Sequence, residues 1–129
     1  MKLVTGTWVA QAISVAAKLG IADKLATGPR SADDLATECA CHARSLYRVL
    51  RALASIGIFA ELADRQFQLT PAAEDLRSDS PHSIRYAAIM LGEPHHYGAW
   101  GNLHGAVQSG GIAFNEVFGV PVFEYFDRH

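Results

Sequence analysis

ARSLYRVLRALASIGIFAELADRQFQL, residues 43–69, changes its hydrophobic period part-way along, and that change decides the fold. Leu46, Val49, Leu50, Leu53 and Ile56 fall at i, i+3, i+4, i+7 and i+10, one face of a 3.6-residue helix, and Gly57 ends the run. Residues 58–62 and 66–69 are short β-type segments on either side of Ala63, Asp64 and Arg65, which read as a hairpin.

Upstream, Ser31 stands three residues before Asp34 in an acidic variant of the capping box and launches a helix over residues 32–39. A shorter helix over 21–26 closes at Thr27, Gly28 and Pro29, and a first helix over 3–19 stops at Gly20, a residue suited to a left-handed C-terminal turn. Helices followed by one hairpin give winged-helix order. Downstream, Thr70-Pro71 and Ser80-Pro81 each pair a capping residue with proline at the first helical position, predicting two further helix starts. Residues 84–91 are apolar apart from Arg85. After Gly92, Glu93 and Pro94 another helix is predicted to about Ser109, where Gly110-Gly111 breaks it. The fold class is therefore mainly α, winged-helix-like, with one small β-hairpin and additional C-terminal helices.

The first helix is apolar around most of its circumference. Val4, Trp8, Ala12, Val15, Ala16 and Leu19 take one side, and Leu3, Val9, Ala10, Ile13 and Ala17 most of the rest. A helix packed on one monomeric core needs a stripe of about 100°, so a second covering surface is expected, most simply a partner subunit meeting Val4, Trp8, Val9, Ala12, Ile13 and Ala16. The lysine at position 2 and the uncharged run behind it also resemble a short signal peptide. Against that, Thr7, Gln11, Ser14 and Lys18 form one narrow helical stripe, the order of a folded helix.

At 129 residues the chain fits one domain, large enough to remove roughly 65 to 70% of its unfolded surface from water. Eleven Lys and Arg against 13 Asp and Glu leave a formal charge of −2, with no global electrostatic reason to expect nucleic acid or an anionic membrane. No run reaches the ~18 apolar residues of a membrane-spanning helix. The two cysteines, Cys39 and Cys41, are spaced i, i+2 on a predicted helix and point to different faces, which disfavours a disulfide between them and fits a cytoplasmic setting.

Few constellations carry chemistry. Cys39, Cys41 and His42 lack the second pair that structural zinc requires, and adjacent His95 and His96, near His82, Glu93 and His104, diverge by about 100° on a helix. No serine shows a His and Asp arrangement. Gly110-Gly111 follows a helical pattern and lacks the G-x-G-x-x-G context. No metal site, catalytic residue or cofactor site is assigned. Arg44, Arg48, Arg51 and Ser55 fall at i, i+4, i+7 and i+11 on the helix that a DNA-binding winged helix inserts into the major groove. The alternative is that these arginines are solvated or pair with Asp33, Asp34 or Glu38.

The segments GTWVAQA (6–12), LGIADKL (19–25), SLYRVLRALASIG (45–57), FQLTP (67–71), WGNL (100–103) and AFNEVFG (113–119) occur together in the order seen in S-adenosylmethionine-dependent O-methyltransferases. The chain resembles the N-terminal half of the bacterial small-molecule and polyketide members, similar to the caffeic-acid and acetylserotonin types. The resemblance implies a homodimerisation domain over 1–111 whose last helices roof an acceptor pocket, with Met90, Tyr97, Trp100, Leu103 and His104 toward an aromatic or polyketide phenol. It implies that 112–129, rich in aromatics and ending at Val120-Pro121 and the residues to His129, link toward a catalytic domain. That domain carries the cofactor S-adenosylmethionine and the general base, so this chain alone is expected to be inactive. The resemblance leaves open a diverged member with hydroxylase or decarboxylase chemistry. The alternative of another class is a small winged-helix transcription regulator.

Overall fold

The computed structural model describes residues 2–129. They divide into two compact units, one ending at Met90 and one beginning at Leu91, a division that falls earlier in the chain than the expected boundary between 111 and 112.

In the first unit a 3-10 turn (Lys2–Thr5) precedes α1 (Gly6–Leu19), which Gly20 closes at φ 66°. Its amide returns to the carbonyls of Ala16 and Ala17, a conformation that a Cβ would strain. α2 (Ile21–Lys24) is a single turn. The Oγ of Ser31 accepts from Asp34 N–H at 3.1 Å and starts α3 (Ala32–Cys39), as the capping pattern predicts. α4 (Ala43–Ala54) follows, capped by His42, whose ring nitrogen accepts from Ser45 N–H.

Strands β2 (Phe59–Glu61) and β3 (Gln66–Leu69) pair antiparallel with Phe59 opposite Leu69, forming the predicted hairpin. Asp64 and Arg65 turn its tip in the left-handed region, and the Arg65 guanidinium lies 4.9 Å over the Tyr47 ring. The hairpin is part of a three-stranded sheet, because β1 (Arg30–Ser31) pairs with β3 in the order β1-β3-β2. Two residues carry no alternation of their own, so only backbone pairing with Gln66 and Phe67 makes this segment a strand.

α4 packs against α1, α3 and β2. Its Leu46, Leu50 and Leu53 are buried with Ile21, Leu25, Leu35, Phe59 and Phe67, each side chain contributing roughly 1.5 to 3 kcal/mol by leaving water. Ser14 from the polar stripe of α1 is also buried, its hydroxyl donating to the Ile89 carbonyl at 3.4 Å, while Thr7 and Lys18 face outward.

Thr70 caps α5 (Pro71–Glu74) as predicted. Ser80-Pro81 does not start a helix: residues 81 and 82 form a turn, and α6 (Arg85–Leu91) begins later. Tertiary bonds hold the loop, with Ser78 N–H donating to Asp23 and Ile84 N–H to the Asp75 carbonyl.

The second unit contains α7 (Pro94–Gly101), α8 (Leu103–Ser109), α9 (Ala113–Phe118) and α10 (Val122–Arg128). The single helix expected to run to Ser109 is broken at Asn102, which leaves helical geometry at φ −100° and ψ 20°. Residues 112–129, expected as a linker, hold α9 and α10, and α9 packs on α7, α8 and α10. Tyr125 gathers the aromatic side chains there: Phe114, Phe118, Phe126 and His95 lie within 6.5 Å of its ring, and His129 stacks on it at 4.3 Å. No side chain of α7 to α10 is fully buried.

Candidate functional site

Two surfaces stand out, one in each unit. The first runs along α1. Val4 is exposed and Trp8 is 74% exposed, while Val9, Ala12 and Ile13 are half-buried. Ala16, expected on the same face, is 1% exposed and enclosed by its own chain. Between Trp8, Val9 and Ala12 on one side and Ala52, Leu53 and Ile56 on the other, an open apolar groove separates α1 from α4. Ala52 and Ile56 were not among the sequence-derived candidates, although Ile56 was visible as the last apolar residue of the α4 pattern. Large exposed apolar area rimmed by polar residues marks an interaction surface.

The second surface lies in the other unit. Ala99 and Trp100 of α7, Leu103 of α8 and Ala113 of α9 line a shallow apolar depression. Trp100 is 64% exposed and Leu103 about half. Of the five residues expected together, the structure joins these two. Tyr97 and His104 are exposed on the same helices but do not line the depression, and Met90 belongs to the first unit.

Beside the depression is a polar cluster that periodicity does not reveal. The Glu116 carboxylate accepts from Asn102 Nδ2 at 2.7 Å through Oε2 and from the Ser109 hydroxyl through Oε1. The Ser109 Oγ in turn accepts from Gly111 N–H at 3.0 Å. The only sequence signal for it was that Asn102 and Glu116 sit in the WGNL and AFNEVFG segments.

The remaining candidates do not assemble. Among the described residues no three His, Cys, Asp or Glu side chains converge on a common centre. Cys39 ends α3 and Cys41 lies beyond Ala40, whose φ of 54° turns the chain off the helix, so the two do not share one; both are free thiols. Burial pushes the Cys39 thiol above its ordinary value, and it donates to the Leu19 carbonyl. Arg44, Arg48 and Arg51 are exposed along α4, and Glu38, one of the acids expected to meet them, pairs with Arg30 instead.

Residues 1–79 match the O-methyltransferase dimerisation domain. The chain belongs to that family. The phenazine O-methyltransferase PhzM of Lysobacter antibioticus is 45% identical over 129 residues, 100% of this chain and 38% of that protein. The O-methyltransferase SfmM3 of Streptomyces lavendulae is 38% identical over 120 residues, 92% of this chain and 35% of that one. Among solved structures, LaPhzM aligns with a TM-score of 0.94 at 45% identity, over 99% of this chain and 38% of its own. This O-methyltransferase dimerisation domain thus spans 38% of the length of the relative it matches at 45% identity. The mainly helical fold with its small antiparallel sheet is the fold of that domain.

Proposed function

We propose that this dimerisation domain pairs with a second copy of itself through α1 and contributes an acceptor-facing surface to a small-molecule O-methyltransferase that uses S-adenosylmethionine. The observation that carries the proposal is Trp8, an indole 74% exposed beside an apolar groove in a domain of this family. Val4, Trp8, Val9, Ala12 and Ile13 form the dimer face, with Ala16 supporting it from the core. An intertwined, obligate interface buries about 2,000 Å² or more in total.

The acceptor is an aromatic or polyketide phenol. A relative named for phenazine O-methylation supports a flat fused-ring substrate, and the open apolar face of Trp100 suits one by stacking. Tyr97 and His104 complete the acceptor contacts of this unit in the whole enzyme. The second unit leaves Trp100, Val107, Ile112 and Phe123 exposed, and a catalytic domain that binds the cofactor covers part of that surface. This chain itself holds neither cofactor nor catalytic base and acts in the cytoplasm, a setting that its two free thiols suit.

α3, α4 and the β2–β3 hairpin follow winged-helix order, so a DNA-binding regulator is the second reading, supported by the three exposed arginines of α4. The net charge of −2 weighs against nucleic acid. Light scattering at micromolar concentration tests the proposal. A dimer is expected, with DNA bound only weakly and lost on added salt. A monomer that binds one DNA sequence tightly at physiological salt would replace it with the regulator.

A further inference from the structure

We infer that Glu116 is a positioning residue: its carboxylate holds the break between α7 and α8 in the shape that sets Trp100 and Leu103 beside Ala99 and Ala113. The inference rests on the acceptor-facing role proposed above for that depression. Its lining comes from three short helices, α7, α8 and α9. None of them has a fully buried side chain, and the aromatic cluster that packs α9 on α7 and α10 takes no ring from α8, so close packing does not fix α8 as it fixes α4.

Directional polar contacts do. Through Oε2 the carboxylate takes the amide of Asn102, the residue at which α7 ends and α8 begins. Through Oε1 it takes the hydroxyl of Ser109, the last residue of α8. One side chain on α9 therefore fastens both ends of α8, and Ala113, which lines the depression, lies one helical turn before it. The glycines nearby keep the space open. A Cβ at Gly105 would stand 2.6 Å from Asn102 Oδ1, and one at Gly111 would stand 2.6 Å from Glu116 Oε1. The latter would push the flexible carboxylate off its partners without removing its charge. A surface held in shape before ligand arrives loses less freedom on binding.

The chain has two tryptophans, Trp8 and Trp100, one in each unit. Incorporated as 5-fluorotryptophan they give two fluorine resonances, assigned with Trp8→Phe, and Trp8 serves as internal control. Glu116→Ala and Gly111→Ala are expected to shift and broaden the Trp100 resonance and leave that of Trp8 in place. Glu116→Gln keeps one acceptor oxygen and falls between. Titration with 2-naphthol is expected to move Trp100 in the parent chain and to bind Glu116→Ala about tenfold more weakly. A Trp100 resonance unchanged in Glu116→Ala and Gly111→Ala, or equal naphthol affinity where the parent chain binds it, overturns the inference. If Glu116→Ala unfolds α7 to α10 by circular dichroism, Glu116→Gln decides: an unmoved Trp100 there overturns it. A parent chain that ignores naphthol while Trp100 still responds to Glu116→Ala leaves the positioning role standing and removes the acceptor role.

Discussion

The backbone N–H of Ser78 donates to Asp23 Oδ1 at 2.8 Å, tying the loop between α5 and α6 to the short helix that follows α1. Arg85 completes the junction, its Nε donating to the Ala17 carbonyl at 2.9 Å and its guanidinium lying 3.9 Å from Asp23 Oδ2.

This junction makes stability pH-dependent. Burial raises the Asp23 carboxyl, but the Ser78 hydrogen bonds with Arg85 and Arg77 outweigh it and hold the group below its ordinary value. A depressed folded value contributes stability in full above the unfolded carboxyl range near 3.9, and that contribution is lost as pH falls through the folded value. Urea midpoints of the parent chain and Asp23→Asn should differ at about pH 7, with the variant lower, and converge as pH falls through the folded carboxyl's depressed value. A gap that stays constant with pH would assign the effect to shape instead of charge.

Tyr47 offers a second titration. Its hydroxyl donates to Glu61 Oε2 at 2.7 Å, and that bond, then burial, then the carboxylate charge raise the phenol above its ordinary value. Tyr47 should therefore ionise late in an alkaline absorbance titration. In Glu61→Gln the late step should move to lower pH, because the acceptor is no longer an anion. An unchanged titration would show that Glu61 does not hold the phenol in solution.

Assembly is best probed at Trp8. Ile13→Asp would place a charge against the core on which Ile13 packs, so loss of the dimer would be mixed with loss of the fold. Trp8→Ala removes an exposed side chain and should weaken the dimer by tenfold or more, about 1.4 kcal/mol, while helical content at fixed temperature persists. Analytical ultracentrifugation across concentration measures the dissociation constant. A dimer as tight as the parent would move the interface away from α1.

Stability should follow the division between a closed core and an open apolar surface. Leu50 is 0% exposed in the centre of α4, and Leu50→Ala should lower unfolding free energy by about 2 to 5 kcal/mol. Leu103→Ala, on a half-exposed side chain, should stay within about 1 kcal/mol. Equal losses in chemical denaturation would mean that α8 is buried in solution, as a covering partner would make it.

What the sequence by itself determined is local. The Ser31 cap, the left-handed Gly20, the Thr70-Pro71 start and the apolar face of α4 each depend on residues within one or two turns, and each appears where periodicity and capping chemistry place it. The hairpin was legible for the same reason, and the family was legible from short segments in fixed order. The tertiary structure alone decided the rest, because it depends on partners far along the chain. Arg30 and Ser31 become a strand only where Phe67 and Gln66 pair with them. Ser14 turns inward because the Ile89 carbonyl accepts its hydroxyl, and the loop at Ser80 stays unwound because Asp23 and Asp75 hold its neighbours. The helix expected to reach Ser109 stops at Asn102, whose amide meets a carboxylate on another helix. A hydrogen bond across that separation leaves no period in the sequence, and it sets Trp100 and Leu103 on one surface while Met90 lies in the other unit.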